Sequence, residues 1–449
     1  MTAHVESWGG LSVETPEFLN PDAFLADERL SGSALPYGNG RSYGDSCLNA
    51  SGAAIASRQA GNIISFDDKT GLLEAEAGLL LSDLIDAVAP TGWFPAVLPG
   101  TQFVTLGGAI ANDIHGKNHH RRGTFGCHVT EIHLDRTDRG PLVLTPGDAT
   151  GLFEATVGGL GLTGLIRRAK VQLMRVGASA IRQETTRFNN LEEYFGLARD
   201  ADEKHEYAVA WLDSLSKGNR FGRGHLIAGD HETEGGHAPA TGASSYLVPF
   251  TPPVSPLQGP LLRLFNETYF RSAPAGVSVK AVAHEKFFFP LDRIGRWNRL
   301  YGPRGLHQHQ SVIPEATGFE TVKKLLECTQ ANGHGSFLTV LKRFGSVQSP
   351  GFMSFPRPGY TLTLDFPDRG SATLRLLEKL DEITLSADGA VNPYKDRRMS
   401  PGTFKASFPE WQKLEAVRDP ALLSDFWRRT ALREQDGGRK KSESIEHHS

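Results

Sequence analysis

The stretch from Pro99 to His120 (PGTQFVTLGGAIANDIHGKNHH) constrains this chain more than any other. Four glycines stand among small apolar residues and give way to a dense polar run, so the backbone can come close to a flat ligand before side chains take over. Taken alone, Gly100, Gly107 and Gly108 would serve equally as turn glycines beside a buried strand. Two further glycine loops shift the balance: Pro36 to Asp45 (PYGNGRSYGD) upstream and Thr156 to Ile166 (TVGGLGLTGLI) downstream. Three such loops in one region, each beside a strand-like run, point to one ligand with a long polar spine.

The 449 residues suffice for two or three domains. An apolar fraction of 39%, a charged fraction of 22% and a net charge of -3 describe a soluble globular protein and exclude a nucleic-acid binder built on phosphate contacts. Cys47, Cys127 and Cys328 are odd in number and far apart, which suits a reducing compartment. The first residues lack a basic stretch followed by an apolar one, and no run approaches the roughly 18 apolar residues of a spanning helix. A cytoplasmic protein is expected, with docking on the inner face of the plasma membrane left open.

Residues 1–35 read as an extended lead-in without chemistry. Short apolar runs at Ala53 to Ala56, Ile63 to Phe66 and Leu72 to Ala77 read as strands. Leu80, Leu81, Leu84, Ile85 and Val88, with Pro90 beyond, predict an amphipathic helix. Strands at 129–134, 142–144 and 169–174 and a helix at 149–157 complete a mixed α+β cofactor domain over 36–175. A second domain spans 176–390, with strands at 207–212, 225–228, 308–313, 336–341 and 360–366 and helices at 320–332 and 372–386. Within it, 229–259 is polar and then proline-rich and reads as a mobile lid or surface loop. Residues 391–433 form a last ordered segment, and 434–449 read as a disordered tail.

Gly40-Arg-Ser-Tyr-Gly44, Leu98-Pro-Gly-Thr101, Asp113-Ile-His-Gly-Lys-Asn-His-His120 and Gly161-Leu-Thr-Gly164 together resemble the vanillyl-alcohol-oxidase-type flavoproteins, and among them the oxidative subunits of decaprenylphosphoryl-β-D-ribose 2-epimerases. The likeness runs from about Pro36 to about Arg433 and is densest around His115 and Lys117. It implies a two-domain α+β flavoprotein with a PCMH-type FAD-binding domain, an antiparallel-sheet substrate domain, and a C-terminal segment returning to the first. It assigns to FAD Pro36, Tyr37, Gly38, Asn39, Gly40, Arg41, Ser42, Tyr43, Gly44, Asp45 and Ser46, then Gly100, Thr105, Leu106, Gly107 and Gly108. Asn112, Asp113, Ile114, His115, Ile166 and Asn392 complete the set. A nicotinamide fold is excluded, because Gly38, Gly40 and Gly44 are mis-spaced for its fingerprint. Many relatives attach flavin through a histidine in the first loop. Tyr43 stands after Arg41-Ser42 here, so the FAD is expected to be non-covalent.

Oxidising a secondary alcohol moves a hydride to flavin while the hydroxyl loses a proton, so the site needs a base or a cationic stabiliser near the carbinol. The resemblance offers Lys395 first, with His115, Lys117 and Tyr43 as further catalytic candidates. Gln308 and Gln310, two apart on a predicted strand, share one face and suit sugar hydroxyls. Lys342 suits a phosphate, and Lys117, Phe288, Thr361, Thr363 and Lys395 complete the implied substrate wall. Asp113, His115, His119 and His120 admit a metal reading, but no second ligand cluster accompanies them, so no metal is expected.

Some positions depart from the family pattern. Phe288 and Phe289 replace a tyrosine and a histidine, Thr363 stands where mycobacterial members carry a cysteine, and Thr361 replaces an asparagine. The leading reading is FAD-dependent oxidation of the 2-hydroxyl of a polyprenyl-phosphoryl pentose, with a separate short-chain reductase completing epimerisation to arabinose. The alternatives are a soluble sugar or aldonolactone oxidase and a flavin-free binding subunit on the same scaffold.

Overall fold

A computed structural model describes residues 4–10, 13–14, 16–25, 33–235 and 246–433. The protein is an α+β molecule of two sheet systems with a cavity between them. The first system contains a five-stranded antiparallel sheet, ordered Gly140–Leu144, Val129–Arg136, Leu165–Gln172, Leu72–Glu76 and Ile63–Asp67. Beside it, Phe18–Leu19 and Ala34–Tyr37 flank Ala53–Ala56 in a parallel sheet. Helix Leu81–Val88 forms where the apolar spacing predicts it and buries Leu81, Leu84, Ile85 and Val88 in the core that holds Leu73 and Ala75. The glycine run of the second loop is itself a short helix, Leu106–Ala111, whose N-cap Thr105 accepts the Gly108 N–H at 3.1 Å.

The second system is an eight-stranded antiparallel sheet. Its order is Val277–Val282, Ile181–Phe188, Gly224–His231, Tyr207–Leu212, Thr339–Phe344, Gly359–Pro367, Leu306–Ile313 and Ala390–Val391. One face packs on helices Leu191–Lys204, Gly318–Ala331 and Ser371–Leu385 through Tyr194, Ala198, Leu325, Leu326, Leu376, Leu377 and Leu380. Period-two alternation turns the other residues of the central strands to the opposite face. Register then sets Gln308 opposite Asp365, Gln310 opposite Thr363, and Lys342 opposite Thr361. Leu306–Ile313 is buried throughout although five of its eight residues are polar, the mark of a strand whose inner face is a site.

Helices Pro401–Ser407, Trp411–Val417 and Asp425–Trp427 bury Phe404, Trp411, Phe426 and Trp427 together and lie against the first system. There the Ala34 N–H donates to Ala421 O at 2.7 Å and Arg429 pairs with Asp45 at 2.8 Å. The span expected as a lid at 229–259 begins as regular strand, which continues to His231 because Gly229, Asp230 and His231 pair with Gln183, Arg182 and Ile181. Tyr246–Leu247 pairs with Ile294–Gly295, and 236–245 lie outside the described residues, as does the expected tail at 434–449. Helix Gly259–Ser272 was not foreseen in the sequence. The lead-in also does more than expected, for Glu6, Trp8, Gly9 and Gly10 stand in the cavity wall.

Candidate active site

The cavity, about 1140 Å³, has the glycine loops on one side and the inner face of the eight-stranded sheet on the other. It exceeds the roughly 300–1,000 Å³ of an ordinary small-molecule pocket, leaving room for a dinucleotide and a second ligand.

The loop side fits FAD. Gly40 takes φ +60°, and the N–H groups of Gly40, Arg41 and Ser42 donate to no protein group among the described residues. Three consecutive donors beside a guanidinium suit a pyrophosphate. The Arg41 guanidinium lies 4.6 Å from the Trp8 ring centroid. Ser46 Oγ and Gln308 Oε1 are buried in the wall without a hydrogen-bond partner among the described residues, so each has capacity for a ligand atom. The second loop contributes shape and not donors. The amides of Leu106 and Gly107 are taken by Leu79 O and Ala77 O at 2.8 Å, and that of Gly108 by Thr105 Oγ1.

On the sheet side a directional hydrogen-bond chain ends at His115. Asn392 Oδ1 accepts the Tyr394 N–H at 3.2 Å, a backbone donor that cannot reverse, so Asn392 Nδ2 must donate. It does so to Gln310 Oε1 at 2.9 Å. Gln310 Nε2 therefore faces, and donates to, Thr361 Oγ1 at 3.1 Å and His115 Nε2 at 3.0 Å. Burial, then the nearby Lys342, holds His115 well below the usual histidine range, so the ring is neutral. With Nε2 accepting, its proton sits on Nδ1, which is 2.8 Å from Lys342 Nζ. Lys342 must accept that proton's hydrogen bond and is therefore a free amine, one of whose hydrogens goes to Gly116 O at 2.9 Å. Burial first, then Lys117 and Lys395, pushes the Lys342 ammonium well below the ordinary lysine range.

Two more lysines face the cavity. Burial lowers both Lys117 and Lys395 to about 8, opposed by Asp292 at the first and Asp365 at the second. Lys117 Nζ donates to Phe288 O at 3.0 Å above the Phe287 and Phe288 rings. Lys395 Nζ lies 4.3 Å from the centroid of Tyr43, whose hydroxyl burial raises well above the usual range. Burial lifts Asp365 to about 7, against the opposing Gln308 amide and Lys395 charge. Asp292 rises to about 6 for the same first reason and accepts the Gln102 N–H at 2.8 Å.

Most of the residues expected from the sequence meet in this wall: Pro36, Gly38 to Tyr43, Ser46, Gly100, Thr105, Gly107, Gly108, Asn112, Ile114, His115, Lys117, Ile166, Phe288, Gln308, Gln310, Lys342, Thr363 and Lys395. Seven do not line it. The Tyr37 hydroxyl donates to Glu6 O, and Leu106 is buried in the core. A Cβ on Gly44 would overlap Asp396 O, and Asp45 is paired with Arg429. Asp113 anchors the Gly126 N–H and the Ser354 hydroxyl, while Asn392 and Thr361 orient Gln310. These seven act by holding the wall. The histidines of the metal reading separate, with His119 against Phe344 and His120 at His205 O, and no group of three metal-ligating side chains gathers among the described residues. Sequence reasoning missed Asp365, Asp292 and Trp8. A carboxylate in the apolar run Tyr360 to Phe366 was the one available signal, for Asp365.

Residues 28–138 match the family described as FAD binding domain. Over 448 residues, 94% of each chain, the protein is 34% identical to the decaprenylphosphoryl-β-D-ribose oxidase of Mycolicibacterium smegmatis. It is also 34% identical, over 79% of its length, to the whole of an uncharacterised Streptomyces coelicolor protein. A putative D-arabinono-1,4-lactone oxidase of Neurospora crassa is 27% identical over 37% of this chain and 31% of its own.

Proposed function

Because the chain belongs to the decaprenylphosphoryl-β-D-ribose oxidase family and is an FAD-dependent oxidoreductase, we propose that it oxidises the 2-hydroxyl of a polyprenyl-phosphoryl pentose to a ketone. One observation supports this most. The amide and amine groups of Gln308, Gln310, Lys342 and Lys395 share a single cavity with a loop whose free amides suit a dinucleotide.

Bound FAD supplies the acceptor for the hydride that leaves the carbinol carbon. Gln308 and Gln310 bind sugar hydroxyls, and Gln308 keeps an unpartnered acceptor for one. The Lys342 amine turns its one lone pair from the His115 Nδ1–H to the substrate hydroxyl, takes the hydroxyl proton and becomes an ammonium. Lys395, protonated below about pH 8, stabilises the oxygen as its negative charge develops. Lys117, in the cavity wall beside Phe288, meets the substrate phosphate. A separate short-chain reductase would reduce the ketone to the arabinose epimer. The absence of a helix long and apolar enough to cross a membrane, among the described residues, is compatible with a cytoplasmic enzyme working at the inner membrane face.

Anaerobic titration of the FAD-loaded protein tests the reading. Polyprenyl-phosphoryl ribose should bleach the flavin band, and free pentoses or aldonolactones should not. Bleaching by a free lactone alone would replace the lipid-linked sugar with a soluble one.

A further inference from the structure

Seven of the thirteen exposed large hydrophobic side chains among the described residues fall between Tyr246 and Phe265, on the outer rim of the second domain. Helix Gly259–Ser272 turns Leu262, Asn266 and Phe270 inward and leaves Leu261, Leu264 and Phe265 as an outer stripe, 55%, 63% and 39% exposed. That stripe leads into the cavity, since Phe265 stacks on Tyr269 with centroids 5.9 Å apart and Tyr269 lines the wall. The preceding segment does the same. Phe250 is 68% exposed beside Thr251 of the wall, and Arg299 Nη1 pins the segment by donating to Val248 O and Pro249 O, each at 2.9 Å.

A cationic collar accompanies the apolar rim. Lys280, Lys286, Arg296 and Arg299 line the cavity, Arg299 being tied directly to the 246–254 segment, and the carboxylate that residues 246–299 add to the wall, Asp292, is engaged by the Gln102 N–H. Exposed apolar side chains concentrated in this way mark an interaction site. Aromatic and aliphatic side chains ringed by lysine and arginine match the boundary of an anionic bilayer, where the apolar groups enter the acyl layer and the cations face lipid phosphates. A second copy of the chain fits poorly, because self-association through this face would bring two cationic collars together.

We infer that the rim formed by 246–254 and the outer stripe of helix Gly259–Ser272 docks on an anionic phospholipid surface, with the cavity mouth against the bilayer. A prenyl tail then stays in lipid while its sugar enters the cavity. The inference deepens the lipid-linked reading of the substrate and rests on it.

Co-sedimentation of the FAD-loaded full chain with vesicles tests it. Phosphatidylglycerol-rich vesicles should carry the protein down, pure phosphatidylcholine vesicles should carry down much less, and added salt should release it. Phe250→Glu and Leu264→Glu should each weaken partitioning about tenfold or more, whereas Val143→Glu, an equally exposed change on the cofactor domain, should not. The docking claim is overturned if wild type stays in the supernatant, or if the two rim variants sediment like wild type. It is also overturned if sedimentation velocity shows a dimer that they dissolve without any vesicle binding. Flavin bleaching by detergent-dispersed polyprenyl-phosphoryl ribose is read separately, so vesicle binding without bleaching rejects the substrate and keeps the surface, and the converse rejects the surface alone.

Discussion

The Lys395 ammonium lies over the ring of Tyr43, 4.3 Å from its centroid, and the Tyr43 N–H donates to Tyr394 O at 3.1 Å. The first glycine loop and the segment returning from the end of the chain therefore meet at one cation. The Gly44 backbone packs against the Asp396 carbonyl, and Asp45 pairs with Arg429 just outside. A lysine more than 350 residues downstream is thus as fixed to the cofactor loop as the loop's own side chains.

Lys395→Ala should keep FAD and lose substrate-driven flavin reduction. The free amides of Gly40 to Ser42 that suit a pyrophosphate are backbone groups and remain when the Lys395 side chain is cut back, and removing a preorganised charge beside a developing alkoxide costs about 2.7 to 4 kcal/mol, or ~100 to 1000-fold. Stopped-flow reduction of the flavin-replete variant at the wild-type rate would remove Lys395 from the mechanism.

The flavin should be dissociable. Tyr43 occupies the attachment position of the first loop, and the one histidine of the cavity wall among the described residues, His115, is held by Gln310 on one nitrogen and Lys342 on the other. Acid precipitation should leave the yellow colour in the supernatant. Colour that stays with the pellet through denaturing electrophoresis would mean that another side chain forms the bond.

The sequence made the cavity floor legible where a period was at work. Gln308 and Gln310 share a face because they are two apart on a strand, and helix Leu81–Val88 forms on its apolar spacing. Helix Gly259–Ser272 was hidden because its apolar residues go all the way round, one stripe inward and one outward, directly after a proline-rich stretch. Asp365 was hidden for a different reason. A carboxylate in a strand ordinarily marks the wet face, and only the pairing with Leu306–Ile313 across the sheet buries this one beside Gln308. Trp8 reaches the cavity through the hydrogen bond of its N–H to Ser42 O at 2.8 Å, a contact between loops that no local pattern encodes.

Asp365→Asn should change how stability varies with pH. Burial raises the folded-state value to about 7, above the roughly 3.9 of an unfolded aspartate. The folded state then holds the proton where the unfolded state has lost it, so this group's contribution is fully present below about pH 4 and is lost as pH rises through 7. Asparagine keeps the shape without the titration, so its melting temperature relative to wild type should climb between pH 5 and pH 8. The change is worth a few kcal/mol at most, since a tenfold difference in proton affinity between the folded and unfolded states corresponds to about 1.4 kcal/mol. The same substitution strips Lys395 of its counter-charge and should move the alkaline limb of flavin reduction to lower pH. Melting curves of the two proteins that stay parallel across that range would show that Asp365 does not titrate there.

Gln310→Glu should reverse the hydrogen-bond chain at His115. In the wild type the Asn392 amide fixes Gln310 Oε1 toward itself, Gln310 Nε2 toward His115, the ring proton on Nδ1, and Lys342 as a free amine. A glutamate accepts at both oxygens. It still takes the Asn392 hydrogen bond, and its second oxygen draws a proton onto His115 Nε2, which frees Nδ1 to accept from Lys342 as an ammonium. The proton acceptor is then already filled, and substrate-driven flavin reduction should fall about 100-fold, the scale of a positioned general base. Flavin content should hold, because the Gln310 side chain bonds Asn392, Thr361 and His115 and none of the free loop amides. The decisive readout is the ring itself: 15N spectra of histidine-labelled protein should show an Nδ1–H tautomer for His115 in the wild type and Nε2–H in the variant. A simple packing defect would lower the rate with the tautomer unchanged. That result would take the proton away from Lys342, while Lys395 would keep its role beside the carbinol.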